Sequence, residues 1–256
     1  MILKRNMHDI ATENIMTLIR VGAFGMTDGT SLRNMSPYKW RKLITAAQQM
    51  GVLPYVAQGA QMLNGDSNLS SALTSALDGA SEQIQQQAAT QYDFSHAQLY
   101  NIMTSRRWDG VVNEETSSPE ISEETLTLLD IIIANLDDML NKDVSIHGII
   151  TLGTYIRENR DHIDFYKLNK WLTHIGLVQV ASFEGSMLIH CFGFTIDELP
   201  FVVSYSKSAG RQLLRSVQKV FSPHSFSTAT KMNIAMLETI SKQFMSAISM
   251  VTDIEE

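Results

Sequence analysis

Segments with the composition of a β-strand are almost absent from this sequence. Only residues 201–205, Phe-Val-Val-Ser-Tyr, look extended, and they directly follow Pro200. A single isolated strand cannot make a sheet, because its backbone groups find no partner strand. Elsewhere, apolar residues recur every three or four positions, which is the period of an amphipathic helix. The sequence therefore predicts an all-α fold, a multi-helix bundle.

Glycines divide the helical pattern into segments. Gly51, Gly176 and Gly193 follow apolar runs at the positions where a left-handed residue ends a helix. We expect Gly22 and Gly25 to end the first helix in the same way. The predicted helices cover residues 9–24, 36–51, 53–63, 69–91, 122–140, 145–158, 165–175, 177–192, 207–221 and 227–251.

A polar segment interrupts the chain at residues 113–120, which read Asn-Glu-Glu-Thr-Ser-Ser-Pro-Glu. Its acidic, proline-containing composition is typical of a linker. It predicts two helical regions, residues 1–112 and 121–256, which form two subdomains if they fold separately. Directly after it, Ser122 is placed to cap a helix whose apolar body predicts a central core helix.

Charge and composition restrict the kinds of partner. The chain has 256 residues, of which 44% are hydrophobic, so a sizeable core is expected. Its 27 acidic and 20 basic residues give a net charge of −7 and are scattered along the chain. Such a field repels phosphate backbones, so we expect no nucleic-acid partner.

The sequence also predicts where the protein resides. No stretch approaches the roughly 20 apolar residues that span a bilayer, and residues 1–9 lack the apolar region of a signal peptide. The single cysteine, Cys191, excludes an intramolecular disulfide and lies in an apolar run that favours burial. We therefore expect a cytoplasmic protein with no membrane insertion.

No motif of a known catalytic site is present. The histidines lack His-Glu-x-x-His spacing and a Cys-x-x-Cys companion, and no Gly-x-Ser-x-Gly or phosphate-binding loop occurs. His190 and Cys191 are adjacent, so they do not share a helical face as a nucleophile and base would. We therefore predict no catalytic, cofactor-binding or metal-binding residues and no cofactor, and we expect that the protein is not an enzyme.

Three groups of polar residues nevertheless have the chemistry of a site. Asp161, His162 and Asp164 could offer metal ligands, although a solvated loop with Asp164 capping the next helix is favoured. Asp137 and Asp138, with Asp143 beyond them, could bind a cation, but neighbours on a helix point about 100° apart, so a solvated face is favoured. Residues 106–108, Arg-Arg-Trp, could touch a phosphate, and helix-end packing is the favoured interpretation.

Short motifs in two parts of the chain form a further pattern. Residues 10–63 contain Ile-Met-Thr-Leu-Ile-Arg-Val-Gly at 15–22, Trp-Arg-Lys-Leu-Ile at 40–44 and Gly-Val-Leu-Pro at 51–54. Residues 145–220 contain His-Ile-Asp at 162–164, Leu168, Trp-Leu at 171–172, Ile-Gly-Leu at 175–177, Phe-Gly-Phe at 192–194 and Glu-Leu-Pro-Phe at 198–201. Together they resemble the helical regions that flank the core of the uncharacterised bacterial nucleotidyltransferase family, often encoded near surface-polysaccharide genes.

The resemblance implies a catalytic core that is missing here. Enzymes of that family carry a Lys-Gly motif, a following arginine and a Gly-Asp-x-Asp-like pair that holds divalent metal against a triphosphate. Residues 65–68 read Gly-Asp-Ser-Asn, and Gly-Ser at 185–186 with Asp-Glu at 197–198 lacks the alternating carboxylates. The resemblance therefore implies a shortened, non-catalytic relative.

Two functions follow as hypotheses. The first is a non-catalytic helical protein with a protein-binding or scaffold role, using the methionine-rich apolar face of residues 232–251. That face could equally be core, or the contact of a homo-oligomer. The second hypothesis is a divergent nucleotidyltransferase or nucleotide-binding protein.

Overall fold

The computed structural model describes residues 7–27, 29, 31–63, 71–88, 94 and 97–221. In this part of the chain it contains eleven α-helices, one 3₁₀ helix at Ile196–Glu198 and no strand, so the all-α prediction is confirmed. The α-helices are α1 Met7–Phe24, α2 Pro37–Gln49, α3 Leu53–Met62, α4 Ser71–Asp78, α5 Ser81–Ala88, α6 Ile102–Thr116, α7 Glu123–Asn141, α8 Ile146–Asn159, α9 Phe165–Ile175, α10 Val178–Phe192 and α11 Lys207–Phe221.

Most of the predicted helix ends agree with these bounds. Gly51, Gly176 and Gly193 have φ values of 72°, 88° and 66°, the left-handed conformation that glycine adopts without a steric penalty. The predicted helix at 69–91 is instead two short helices, α4 and α5. The predicted helix at 227–251 lies outside the described residues. No helix within the described ranges is long and apolar enough to cross a bilayer.

The described residues fall into two compact units. The first contains those within Met1–Tyr92 and Arg211–Pro223, and the second those within Asp93–Gly210. The segment predicted as a linker, residues 113–120, belongs to the second unit, and residues 113–116 complete α6. Independent folding of residues 1–112 and 121–256 stays a prediction.

In the first unit, α1 and α3 cross in backbone contact. A methyl group at Gly22 would overlap the Tyr55 carbonyl oxygen, and one at Gly59 would overlap the Leu18 carbonyl oxygen. Only glycine allows the two helices to approach this closely. The prediction that Gly22 ends α1 is therefore wrong, because it lies inside the helix at this crossing. Gly25, with a φ of 67°, follows the helix end.

The core of the second unit is built around α7. Most of this helix is buried, and it packs against α8, α9 and α10. Ser122 is its N-cap residue but makes no side-chain capping bond, so the predicted capping role is wrong. Its hydroxyl instead accepts a hydrogen bond from Lys167 Nζ at 2.8 Å. The predicted cap at Asp164 is confirmed, since its carboxylate accepts from Lys167 N at 2.9 Å.

Candidate interaction surface

The N-terminal end of α6 is fixed by two side-chain hydrogen bonds to its first turn. The Asn101 side-chain oxygen accepts from the amides of Met103 at 2.9 Å and Thr104 at 3.3 Å, which caps the helix. Just before it, the Tyr100 hydroxyl accepts from Asn141 Nδ2 at 2.7 Å. Because Asn141 is the last residue of α7, this bond ties the start of α6 to the core helix.

The inner side of α6 packs on α9. Thr104, Val111 and Glu115 are buried there. Arg107 Nη1 lies 3.4 Å from the His174 carbonyl oxygen, a long hydrogen bond to the last turn of α9. These contacts lie on one side of the helix and leave the opposite side free.

The C-terminal end of α6 is held by a partly buried ion pair. Lys167 Nζ lies 2.8 Å from Glu115 Oε1, and the same oxygen accepts from Ser122 N at 2.8 Å. Burial alone would raise the pKa of Glu115, but the lysine and the Ser122 amide outweigh it and lower the pKa below 4.5. The carboxylate is therefore charged at neutral pH and bonded on its buried side.

The opposite side of α6 forms the surface that we call the α6 outer face. It consists of Ile102, Met103, Arg106, Gly110 and Glu114, which a spacing of about 100° per residue spreads over about a third of the helix circumference. Ile102 is 67% and Met103 57% exposed. Beside them Tyr100 is 63% exposed. Several large exposed apolar side chains so close together in the sequence are a candidate interaction surface.

The two charged residues of the α6 outer face have no protein partner among the described residues. Within the described part of the chain, Arg106 and Glu114 make no hydrogen bond or ion pair, and both side chains are exposed. A methyl group at Gly110 would meet no atom within 4 Å, so the helix backbone is open there. From its N-terminal to its C-terminal end, the α6 outer face therefore presents the apolar pair Ile102 and Met103, then basic Arg106, then Gly110 without a side chain, and then acidic Glu114.

Sequence reasoning located this surface only in part. Residues 106–108 were expected to pack at a helix end, and Trp108 is indeed half-buried, whereas Arg106 and Arg107 are exposed. Ile102, Met103 and Gly110 were missed. The signal that could have found them is the series 102, 106, 110, 114, in which every fourth residue shares one helical side.

The paired acids at the end of α7 do not form the solvated face that the sequence predicted. Asp137 and Asp138 are each 7% exposed. Asp137 Oδ1 accepts from Asn141 Nδ2 at 2.6 Å, and Asp138 Oδ1 lies 2.8 Å from Lys142 Nζ. That prediction is wrong because each carboxylate is bonded to the side chain four positions ahead, which compensates its burial.

His147 lies close to this acidic pair. Its burial lowers the pKa of the imidazole, and the negative charge of Asp138 acts in the opposite direction. Asp143, which the sequence grouped with the acidic pair, uses Oδ1 to accept from Val144 N at 2.9 Å. The described residues contain no group of three or more His, Cys, Asp and Glu side chains that could hold a metal ion.

A buried acid and amide link α7, α8 and α10. Asn135 Nδ2 donates to Glu184 Oε2 at 3.1 Å and to the Gly148 carbonyl oxygen at 3.2 Å. Burial raises the pKa of Glu184 well above 4.5, although the bond from Asn135 lowers it. Glu184 is completely inaccessible to solvent, and its burial favours the protonated form.

The remaining residues that the sequence singled out are structural. Asp161 and His162 are exposed in the turn between α8 and α9, and Cys191 is buried as expected. Gly185 packs beneath Phe201 and Val202, and Glu198 caps the 3₁₀ helix and lies 3.3 Å from Arg157 Nε. Residues 65–68 and 232–251 lie outside the described residues.

The fold and this surface define an all-α protein with a preorganised, partly apolar outer helix. Comparisons with protein families, curated proteins and solved structures found no match to the chain. The resemblance to the nucleotidyltransferase family stays a prediction.

Proposed function

We propose that this chain is a non-catalytic helical protein that binds another protein chain through the α6 outer face. The observation that carries the proposal is the exposure of Ile102 and Met103 on a helix fixed at both ends, beside Arg106, which has no ion-pair partner among the described residues. Burying two such side chains contributes about 1–2 kcal/mol each, enough to support a specific contact.

Exposed apolar residues are common on protein surfaces, so exposure alone does not support binding. Two features separate this surface from scattered exposure. Three large side chains lie within four residues, and the helix beneath them is anchored to α7 and α9. A rigid surface loses less conformational entropy on binding than a flexible one, and its affinity rises accordingly.

The sequence predicts a binding role for the apolar face of residues 232–251, which lie outside the described residues. The α6 outer face therefore supports the same class of function from a different part of the chain. We also propose that the chain is a non-catalytic relative of nucleotidyltransferases and that it is cytoplasmic. The α6 outer face is compatible with both proposals and is not evidence for either.

Site-specific photo-crosslinking tests the proposal. A photoreactive amino acid is placed at Met103, and at Tyr166 of α9 as the control, because Tyr166 is 83% exposed and belongs to the same unit. After irradiation of cells that express each variant, we expect a discrete protein adduct from position 103 and none from position 166. Equal adducts from both positions, or none from position 103, contradict the proposal.

The alternative, a divergent nucleotidyltransferase or nucleotide-binding protein, has its own test. The purified chain is titrated calorimetrically with nucleoside triphosphate and magnesium. Our proposal predicts no heat of binding beyond dilution. Saturable binding in the micromolar range, abolished by chelating the magnesium, would favour the alternative.

A further inference from the structure

We infer that the partner of the α6 outer face is a second copy of this chain, with the two α6 helices antiparallel and crossing at Gly110. This inference rests on the proposed function, and it names the partner. It follows from the symmetry of the surface, since an isologous contact requires a patch that is complementary to itself.

The charge pattern around Gly110 is self-complementary. Arg106 lies four residues before it and Glu114 four residues after it. At about 1.5 Å per residue, each charge stands about 6 Å from the crossing point, on the same side of the helix. When the second helix runs antiparallel to the first, its Glu114 lies opposite Arg106 of the first copy. The two-fold symmetry then places its Arg106 opposite Glu114 of the first copy.

The helix dipole supplies an independent reason. The last turn of α6 contains Glu114 and Glu115 and no basic residue, although the C-terminal end of a helix favours cations. Lys167 compensates Glu115, whereas Glu114 has no partner in the described part of the chain. Arg106 of a second copy would provide the missing cation.

The apolar residues also match under this symmetry. Met103 and Ile102 lie seven and eight residues before Gly110, about 11 Å along the axis. The antiparallel arrangement places them over the turn that follows α6 in the other copy, at residues 117–121. Each end of the interface would therefore place these two apolar side chains against the backbone of that turn.

The open backbone at Gly110 permits this approach. No atom lies within 4 Å of the position that a side chain would occupy. Two helices that cross at glycine can approach more closely than the usual 8–10 Å between axes. Because we expect two crossed 15-residue helices to bury less than the roughly 1,600 Å² of a standard interface, we expect a weak dimer with a dissociation constant on the order of micromolar.

Reciprocal charge exchange tests the inference on the full chain. Sedimentation velocity across concentrations spanning the micromolar range should show a monomer–dimer equilibrium for the unmodified protein. Arg106→Glu and Glu114→Arg should each weaken the dimer by at least about tenfold, because each places like charges opposite one another. The double variant Arg106→Glu/Glu114→Arg should regain dimerisation.

Mixing the two single variants gives the sharpest result. In an equimolar mixture, both charge pairs are restored across the contact, so heterodimers should form although neither variant dimerises alone. As a second readout, Gly110→Cys should give an oxidation-dependent covalent dimer, because the native Cys191 is buried. Circular dichroism checks that every variant is folded.

Two outcomes overturn the inference. One is a dimer that all charge variants leave unchanged, which places the contact elsewhere. The other is an unmodified chain that stays monomeric at about 100 μM, roughly a hundred times the expected dissociation constant. If that monomer still gives a position-103 adduct with a different protein, the proposed function stands and only the identity of the partner is wrong.

Discussion

The Lys167 ammonium group donates hydrogen bonds to the Glu115 carboxylate and the Ser122 hydroxyl, each at 2.8 Å. Through these bonds one side chain of α9 connects the end of α6 to the start of α7. The position of the α6 outer face therefore depends on a polar contact on the opposite side of the same helix.

We predict that Lys167→Met lowers the free energy of unfolding by about 2 kcal/mol at neutral pH, because it leaves a mostly buried carboxylate without its cation. The pKa of Glu115 is lowered in the folded state, so this contribution is present above pH 4.5 and is lost as the pH falls below that value. Urea unfolding at about pH 7 and about pH 3 measures both effects. Lys170→Met, at an exposed position of α9, is the matched control, and an equal loss in both variants would contradict the prediction.

Asp130 of α7 gives the opposite pH dependence. Burial raises its pKa from 3.8 to about 6, and the Trp108 indole acts in the lowering direction. Trp108 Nε1 and Asp130 Oδ1 are nevertheless both buried without a hydrogen-bond partner in the described part of the chain. The folded protein binds the extra proton, so stability should fall as the pH rises from 3.8 to about 6.

The change Asp130→Asn should remove that fall and raise the free energy of unfolding at neutral pH by about 1–2 kcal/mol. Denaturant unfolding across this pH range measures it. Asp161→Asn, in the exposed turn after α8, should leave the pH profile unchanged. A stability loss in Asp130→Asn at neutral pH would show that the carboxylate is better compensated than its surroundings indicate.

Substitutions of Asn135 and Glu184 distinguish the effect of a buried charge on stability from the effect of side-chain shape. Because burial favours the protonated form of Glu184, Glu184→Gln should change the free energy of unfolding by less than about 1 kcal/mol. Asn135→Asp should cost about 3 kcal/mol or more, since it replaces the shared donor with a second buried acid. Thermal unfolding of the two variants compares them, and similar losses in both would refute the assignment of a neutral Glu184.

The crossing of α1 and α3 predicts a strong dependence on glycine. Gly22→Ala should lower the free energy of unfolding by about 3 kcal/mol, because the methyl group overlaps the Tyr55 carbonyl oxygen. Gly110→Ala is the control, since it meets open space and should raise helix stability by up to about 1 kcal/mol. Chemical unfolding of dilute protein measures both, and a harmless Gly22→Ala would mean that the two backbones are not in contact.

Local chemistry explains why most of the helices could be predicted. Gly176 and Gly193 adopt the left-handed conformation directly after the ends of α9 and α10, and Asp164 caps the start of α9 with its side chain. These are interactions between residues close in sequence. Residues 201–205 form no strand: the Val203 amide donates to the Ser182 hydroxyl of α10 and the Val202 amide to the Leu199 carbonyl oxygen.

Long-range packing explains what the sequence could not provide. In the sequence, Gly22 and Gly25 both look like glycines that end a helix. Only the close approach of α3 shows that Gly22 lies inside α1, whereas Gly25 follows its end. Asp137 and Asp138 look solvated because the packing around α7 is not visible in its own sequence. The α6 outer face was missed because the sequence predicts no helix between residues 91 and 122 and a linker at residues 113–120, where the last turn of α6 lies.

The central claim, that the α6 outer face binds protein, is tested most directly by hydroxyl-radical footprinting of Met103. The oxidation rate of Met103 is compared between dilute purified protein and cells that express it, with Met62 of α3, which is 47% exposed, as the internal reference. We predict that Met103 oxidises several times more slowly in cells while Met62 keeps its relative rate. Equal rates for Met103 in the two conditions would contradict the claim, because the surface would then be uncovered where the protein works.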